Sequence, residues 1–126
     1  MEIYTGIDII ENIRIKKAIE KHGKNFLNRI FLKSELEYCL TKEKSIECLS
    51  ARFALKEAFI KAFYTYCGKT LSFRSIEIPG QTGKPAEILL HLQTKELEEA
   101  ANRIKYTFSI SHERNYSVAT VIIYLP

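Results

Sequence analysis

The sequence predicts an α+β fold in which a mainly antiparallel sheet packs on one long buried helix and shorter helices. Three observations support this: alternating or β-branched segments near both ends of the chain, a long apolar segment in the middle, and a polar turn between the last two alternating segments. The chain has 126 residues, close to one typical domain. We therefore expect a single domain across residues 1–126.

The first strand is predicted over residues 3–10, which are rich in β-branched side chains. With a period of two, one face carries Ile3, Thr5, Ile7 and Ile9, and the other carries Tyr4, Gly6, Asp8 and Ile10. A helix should follow and end near Gly23. Its apolar stripe comprises Ile15, Ala18, Ile19 and His22, and most basic residues of this region lie on its other face.

Two further helices are predicted, the second of which is the long apolar segment in the middle of the chain. Ser34 and Glu37 have capping-box spacing, which predicts a short helix through about Leu40. Ser45 then opens a long helix to about Tyr64 that is apolar almost all round. Such a helix is buried against other elements on several sides.

The remaining elements follow from the same patterns. In chain order they are a strand over 71–78, a turn over 79–85, a strand over 87–92, a helix capped by Thr94 and ending near Arg103, a strand over 106–112, a turn over 113–115 and a strand over 116–125. The last two strands should form a hairpin.

The net charge of +4 is concentrated in one segment. Residues 12–33 carry seven basic residues and one acid, so this segment has a charge of +6 and the rest of the chain has a charge of −2. A local basic face of this kind suits an acidic partner.

The three cysteines, Cys39, Cys48 and Cys67, form no C-x-x-C pair. We expect reduced, packed thiols in a cytoplasmic protein, and neither a disulfide framework nor a zinc ribbon. No basic segment followed by an apolar stretch opens the chain, so a signal peptide is not expected. The longest strongly apolar stretch, 118–125, is far short of the roughly 20 residues that span a membrane.

Two carboxylates stand where a core is expected. Asp8 lies inside a hydrophobic strand, and Glu57 lies in the middle of the long apolar helix. A buried carboxylate is costly unless it is neutralised, paired or bound to a metal. In a structural interpretation, Glu57 pairs with Lys61 one turn away and Asp8 caps the turn after its strand. In a functional one, both hold Mg²⁺, which commonly takes one or two carboxylates together with substrate phosphates that Lys61 would also contact.

Three other polar residues allow both kinds of interpretation. His112 ends a strand beside a turn, where a histidine is either solvated or a ligand contact. Arg52 and Lys56 lie one turn apart on the long helix, where they form either a solvated basic edge or a phosphate-binding edge.

Three motifs connect these residues. They are Gly6-Ile7-Asp8-Ile9 with Arg14, the segment RFALKEAFIKA over 52–62, and Ser109-Ile110-Ser111-His112. In this order and spacing they resemble the signatures of holo-[acyl-carrier-protein] synthase, the small single-domain branch of the 4'-phosphopantetheinyl transferases. The resemblance runs from about residue 3 to residue 124, and the middle motif is the most specific.

The resemblance implies an activity and a set of site residues. The family moves the 4'-phosphopantetheine arm of coenzyme A onto a serine hydroxyl of apo acyl carrier protein and releases adenosine 3',5'-bisphosphate. By this resemblance, Asp8 and Glu57 are Mg²⁺ ligands and Lys61 is a phosphate contact. Arg52 and His112 are coenzyme A contacts, including contacts to its 3'-phosphate.

The resemblance also implies partners. Arg14 and the basic first helix, with Lys17, Lys21 and Lys24, would dock the acidic carrier protein. The turn at Gly83 would lie near the adenosine. Members of the family are trimers with each active site between neighbouring subunits, and they support fatty acid synthesis.

The residue types agree with this chemistry. Attack of a serine on a pyrophosphate phosphorus builds charge on the transferring and leaving oxygens, which Mg²⁺ and Lys61 would stabilise. The serine must lose a proton, and Glu57, directly or through a metal-bound water, is the candidate base.

The chain departs from the family pattern at several positions. Most members have glycine where Ala51 stands, a Gly-x-Gly where Tyr64-Thr65-Tyr66 stands, and asparagine where Thr82 stands. Glycine permits close backbone approach and positive φ. Tyr64 and Tyr66 therefore either reshape the segment after the long helix or line it.

Two alternative functions stay open at this stage. A basic, non-catalytic binding module, for example for nucleic acid, would explain the +6 segment, but it lacks aromatic–basic interleaving and leaves Asp8 and Glu57 unexplained. A family member that binds coenzyme A without transferring the arm is the other alternative. The favoured interpretation involves neither nucleic acid nor a membrane.

Overall fold

A computed structural model of the chain describes residues 1–80 and 83–126. Its helices are α1 (Asn12–His22), α2 (Lys24–Ile30), α3 (Lys33–Cys39), α4 (Ser45–Cys67) and α5 (Lys95–Asn102). Its strands are β1 (Glu2–Glu11), β2 (Ile76–Glu77), β3 (Leu89–Leu90), β4 (Lys105–His112) and β5 (Tyr116–Leu125). The predicted α+β class is confirmed. In the described ranges no helix is both long and apolar enough to cross a membrane.

The main sheet has the strand order β1-β5-β4, and both pairs are antiparallel. β4 and β5 form the predicted hairpin, and the central strand places Val121 between Gly6 and Phe108. One face of β5, with Ala119, Val121 and Ile123, is buried in the core. The long helix α4 packs across this face and contacts β1, β5 and β4. β2 and β3 form a separate two-stranded sheet.

The predicted alternation of β1 is present in the structure. Gly6 and Ile10 are buried on the side of α4, whereas Ile3, Ile7 and Ile9 are 58%, 61% and 64% exposed on the other side. The outer face of β1 is therefore mostly apolar and uncovered in the single chain.

Gly6 allows β1 to lie directly against α4. A Cβ atom at this position would overlap the backbone carbonyl of Ala58 and lie 2.9 Å from the backbone nitrogen of Ala62. Only glycine permits this close approach. Because side chains alternate along a strand, Asp8 lies on the same face as Gly6 and so points towards α4.

The prediction that α4 is buried on several sides is confirmed, and it extends to Lys56, which is 0% exposed. The Lys56 ammonium donates to Glu35 Oε1 at 2.7 Å and to the carbonyls of Ile30 at 2.8 Å and Phe73 at 3.2 Å. Both sequence-based interpretations of Lys56 are therefore wrong, because it lies neither in solvent nor at a phosphate-binding edge. Burial lowers the pKa of Lys56, and Glu35 opposes this shift.

One short helix begins differently from the prediction, and another was not predicted. α3 begins at Lys33 after Leu32, whose backbone N–H donates to Glu35 Oε1 at 2.7 Å, while the predicted cap Ser34 donates to Glu77 instead. α2 follows Gly23, which has a φ of 53°, and the sequence had left this helix unassigned. His22, placed on the buried stripe of the first helix, is exposed.

The predicted strands over 71–78 and 87–92 shorten to two residues each. A 3₁₀ turn over Phe73–Ser75 replaces the start of the first, held by a bond from Ser75 N to Ser72 O at 3.1 Å. The Phe73 carbonyl is used by Lys56 rather than by a neighbouring strand. Of the predicted 79–85 turn, residues 81–82 lie outside the described residues, and so does the Thr82 departure.

The two tyrosines that replace family glycines extend the helix. α4 continues to Cys67 rather than ending near Tyr64, and Gly68 supplies the left-handed end with a φ of 75°. Tyr66 packs against Tyr4, with ring centroids 5.5 Å apart, and its hydroxyl donates to the Ala100 carbonyl at 2.9 Å. Tyr64 remains exposed.

The expectation that all cysteines are reduced is wrong for two of them. Cys39 at the end of α3 and Cys48 in the first turns of α4 form a disulfide, with Cα atoms 5.4 Å apart. The connection over 40–44 folds back and brings the two helix ends together. Cys67 carries a free thiol that bonds to the Phe63 carbonyl.

Candidate active site

β1 and α4 bring Asp8, Glu57 and Lys61 together. The Lys61 ammonium donates to Asp8 Oδ1 at 3.0 Å and to the Ile7 carbonyl at 3.1 Å. Asp8 is paired with Ala119 in the middle of β1 rather than capping a turn. Across the described residues, Glu57 forms no ion pair within 4.0 Å, so the expected Glu57–Lys61 pair is absent. The structural interpretations of both carboxylates are therefore wrong.

The electrostatics of this cluster favour a cation. Burial raises the pKa of Glu57, the negative charge of Asp8 raises it further, and Lys61 opposes both effects. The side chain of Asp8 is 16% exposed and that of Lys61 is 53% exposed. Two carboxylates face one ammonium, so the cluster has an excess of negative charge on its half-buried side.

The donor set is suited to a hard metal ion. In the part of the chain that the structure describes, no group of three or more His, Cys, Asp or Glu residues is arranged to hold a metal. Asp8 and Glu57 supply only carboxylate oxygens, which is the ligand type and the number that Mg²⁺ commonly takes from a protein when water and phosphate oxygens complete its shell.

Arg52 and His112 lie together on the wall of a cavity of about 570 Å³ formed by residues of α3, α4, β4 and the connecting segments. Four basic side chains and two acidic ones line it, namely Lys42, Lys44, Arg52, His112, Glu43 and Glu47. An excess of positive charge of this kind favours an anionic ligand.

Arg52 is held in place by groups near its own helix. Its Nε donates to the Ile78 carbonyl at 2.9 Å, and its Nη1 lies 3.2 Å from Cys48 Sγ. Its guanidinium also lies over the ring of Tyr38, 5.0 Å from the centroid. Burial lowers the pKa of Arg52, and Glu35 and Tyr38 oppose this shift.

His112 ends β4, and its Nδ1 lies 3.1 Å from Glu47 Oε1 on the first turn of α4. Glu47 was missed from the sequence, because no spacing rule joins two residues 65 positions apart. Its only sequence signal was an acidic residue on the segment that leads to Arg52.

The turn at Gly83 adjoins the same region. Gly83 has a φ of 79°, which agrees with the glycine turn expected there. Ala86, three residues later, lines the cavity that holds Arg52 and His112.

The basic residues assigned to partner docking are exposed. Arg14, Lys17 and Lys21 share one face of α1 at positions i, i+3 and i+7. Lys24 is also exposed, but it opens α2 beyond the turn at Gly23 and so belongs to a different helix from the one predicted.

Comparisons with known proteins agree with this arrangement. A family model for the 4'-phosphopantetheinyl transferase superfamily matches residues 4–121. The chain is 45% identical over 118 residues to the holo-[acyl-carrier-protein] synthase of Aquifex aeolicus, a match that covers 94% of this chain and 95% of the relative.

Two solved structures are similar in fold as well. The holo-[acyl-carrier-protein] synthase of Helicobacter pylori in complex with coenzyme A has a TM-score of 0.76 and 35% identity, covering 95% of this chain and 99% of that one. The Neisseria meningitidis holo-[acyl-carrier-protein] synthase has a TM-score of 0.80 and 29% identity, covering 96% and 97%. The fold and the family inferred from the three motifs are both confirmed: this chain belongs to the 4'-phosphopantetheinyl transferase superfamily.

Proposed function

We propose that this chain is an enzyme that transfers the 4'-phosphopantetheine arm of coenzyme A to a serine hydroxyl of apo acyl carrier protein, in support of fatty acid synthesis. One observation carries the proposal: the Lys61–Asp8 contact of 3.0 Å beside the half-buried Glu57, in the same chain as a basic cavity that holds Arg52 and His112. Relatives named holo-[acyl-carrier-protein] synthase support it. The proposal treats residues 1–126 as a single catalytic domain.

Coenzyme A offers anionic groups that match the basic residues. In this proposal Arg52 and His112 bind its 3'-phosphate, and Gly83 lies in the turn beside its adenosine. Lys61 contacts its pyrophosphate. The Helicobacter pylori relative was solved with coenzyme A bound, which supports this substrate.

In the reaction, an oxygen–phosphorus bond forms at the carrier serine and one of the phosphorus–oxygen bonds of the pyrophosphate breaks. Adenosine 3',5'-bisphosphate leaves. The Lys61 ammonium offsets negative charge on the transferring and leaving oxygens. Glu57 is the candidate group to accept the serine proton on a carboxylate oxygen.

Asp8 and Glu57 would hold Mg²⁺, whose positive charge would offset the anionic pyrophosphate. Their oxygen donors and their excess negative charge support this assignment. Isothermal titration of Mg²⁺ into the protein with coenzyme A should show metal binding that is lost in Asp8→Asn.

The acidic carrier protein docks on Arg14, Lys17, Lys21 and Lys24 in this proposal. Lys17→Glu should raise the KM for the carrier and leave the KM for coenzyme A unchanged, because opposite charges steer association. Lys16→Glu is the matched control. Lys16 is also exposed on α1, but it points about 160° away from Arg14, which shares the docking face with Lys17. Competition by duplex DNA at the same face would instead favour the nucleic-acid alternative.

We further propose a homotrimer with active sites between neighbouring subunits. The uncovered apolar face of β1 supports an assembly, because exposed contiguous apolar surface marks interaction sites. Light scattering should give three times the chain mass, and Ile7→Lys should reduce it to one. Thr5→Lys adds the same charge on the same exposed face without removing an apolar side chain, so it should weaken the trimer less.

We place the enzyme in the cytoplasm. That compartment keeps most thiols reduced, whereas the structure joins Cys39 and Cys48 in a disulfide. Acid-trapped thiol counting on protein from cells measures how much of each form is present.

The activity itself is tested by incubating the protein with coenzyme A, Mg²⁺ and an apo carrier protein. The carrier should gain the mass of one phosphopantetheine group. A folded protein that adds no mass to several carriers but binds coenzyme A would instead be the non-transferring family member.

A further inference from the structure

The cavity of Arg52 and His112 contains an acidic residue that an anion site should exclude. Glu47 lines this cavity, and its side chain is only 17% exposed. A carboxylate in this place repels phosphate, so another interaction must account for its presence. The contact that Glu47 makes is with His112, whose Nδ1 lies 3.1 Å from Glu47 Oε1.

This contact assigns the two ring nitrogens of His112. A carboxylate can only accept a hydrogen bond, so Nδ1 carries the hydrogen and donates it to Glu47. Nε2 is then the nitrogen left for a ligand. Because a phosphate oxygen only accepts, Nε2 must carry a hydrogen too, so the ring that binds phosphate is the imidazolium, which donates from both nitrogens. The carboxylate partner then serves to fix the orientation of the ring.

His112 has particular need of such a partner. Its side chain is 48% exposed at the end of β4, next to a turn. Over the described ranges, Glu47 is the side chain that holds its ring. Arg52 differs, because the Ile78 carbonyl and Cys48 fix its guanidinium without help from Glu47.

We propose that Glu47 is a positioning residue for the transfer reaction, holding His112 so that Nε2 faces the 3'-phosphate of coenzyme A. This inference rests on the proposed function, and it adds to that function a residue that does not itself touch the substrate.

The test compares coenzyme A with 3'-dephospho-coenzyme A in steady-state transfer. Glu47→Ala should raise the KM for coenzyme A about fivefold, which is the loss of roughly one hydrogen bond. It should leave kcat within about twofold of wild type and the KM for dephospho-coenzyme A unchanged. Glu47→Gln, whose amide oxygen still accepts from Nδ1, should restore the KM to within about twofold of wild type.

Two controls separate positioning from a general effect. Glu43→Ala removes the same charge from the same cavity wall. Glu43 is exposed and, in the described part of the chain, makes no side-chain hydrogen bond. This substitution should therefore not raise the KM for coenzyme A. In a His112→Ala background, Glu47→Ala should have no further effect. Thermal melting of each variant confirms that it is folded.

Equal increases in KM for both substrates, no increase for either, or a Glu47→Gln variant as impaired as Glu47→Ala would each overturn the proposal. A wild-type enzyme that does not distinguish the two substrates would overturn it too. If the wild type transfers nothing, the proposed function fails. Calorimetric Kd values then decide the role of Glu47: Glu47→Ala should weaken the binding of coenzyme A about fivefold and leave that of dephospho-coenzyme A unchanged.

Discussion

Lys56 and Lys61 lie five residues apart on α4, and each donates a hydrogen bond to a carboxylate, yet their surroundings differ. Lys56 is fully buried, and Glu35 beside it is also 0% exposed. Lys61 is about half exposed, and its partner Asp8 lies at the edge of an open, negatively charged cluster.

The difference lies in how many donors remain. An ammonium has three hydrogens to donate. Lys56 uses all three, on Glu35 and two backbone carbonyls. Lys61 uses two, on Asp8 and the Ile7 carbonyl, which leaves one donor for a ligand within the described structure. The same residue type thus stabilises the fold at one position and is available for chemistry at the other.

The largest effect should come from Lys61→Met. We expect kcat/KM for transfer to fall by about 10³-fold or more, since this side chain is assigned to the charge that develops on phosphate oxygens. Stability should change by less than about 1 kcal/mol, because the pair with Asp8 is partly exposed. Single-turnover kinetics and urea unfolding measure the two effects. A variant that keeps its activity would remove the basis of the comparison.

Glu57→Gln should lower the transfer rate about 10²- to 10³-fold and raise the Tm by about 1 to 3 °C at pH 8. The folded-state pKa of Glu57 is raised by burial and by Asp8, so its ionised form destabilises the metal-free fold. This cost develops as the pH rises above the unfolded-state pKa and is complete above the folded-state pKa. The gain in Tm should therefore vanish at pH 4. Calorimetry at both pH values, without Mg²⁺, checks it.

Lys56→Met should affect stability instead of chemistry. It leaves the buried Glu35 without its cation, which costs about 3 kcal/mol. The folded fraction should keep kcat within about threefold of wild type. Urea unfolding followed by kinetics at low urea separates the two quantities. An unchanged unfolding midpoint would show that the buried pair does not stabilise the fold.

The smallest effect should come from Lys69→Met. Lys69 lies 2.9 Å from Glu96, and both side chains are exposed. The hydrogen bond to Glu96 raises the pKa of Lys69, but solvent screens such pairs. We expect neither the unfolding midpoint nor the transfer rate to change measurably. A clear loss of stability would show that ion pairing itself, rather than burial, explains the behaviour of Lys56.

Elements with strong periodicity could be predicted from the sequence. β1, α1 and the β4–β5 hairpin follow from side-chain alternation or an apolar stripe, and their predicted ends differ from the structure by at most one residue. Asp8 and Glu57 could be recognised because a carboxylate contradicts the apolar pattern around it. Gly6 explains how the first motif reaches α4, but its contact with Ala58 is visible only in three dimensions.

The remainder depends on contacts between distant segments. A helix that is apolar on all sides has no polar face to which Lys56 could be assigned, and its partner Glu35 comes from another helix. Serine is a typical helix-capping residue, yet the Ser34 hydroxyl donates its hydrogen bond to Glu77 instead. The pairing of Glu47 with His112 likewise follows from the packing of α4 against β4, and local sequence patterns do not encode it.

The central claim is that the Asp8–Glu57–Lys61 cluster carries phosphopantetheine transfer. Its most direct test is the intact mass of an apo carrier protein after incubation with coenzyme A, Mg²⁺ and either the wild-type chain or Lys61→Met. We predict one phosphopantetheine adduct with the wild type and none, over the same time, with a folded Lys61→Met. An adduct formed at the same rate by both proteins, or by neither, would contradict the account.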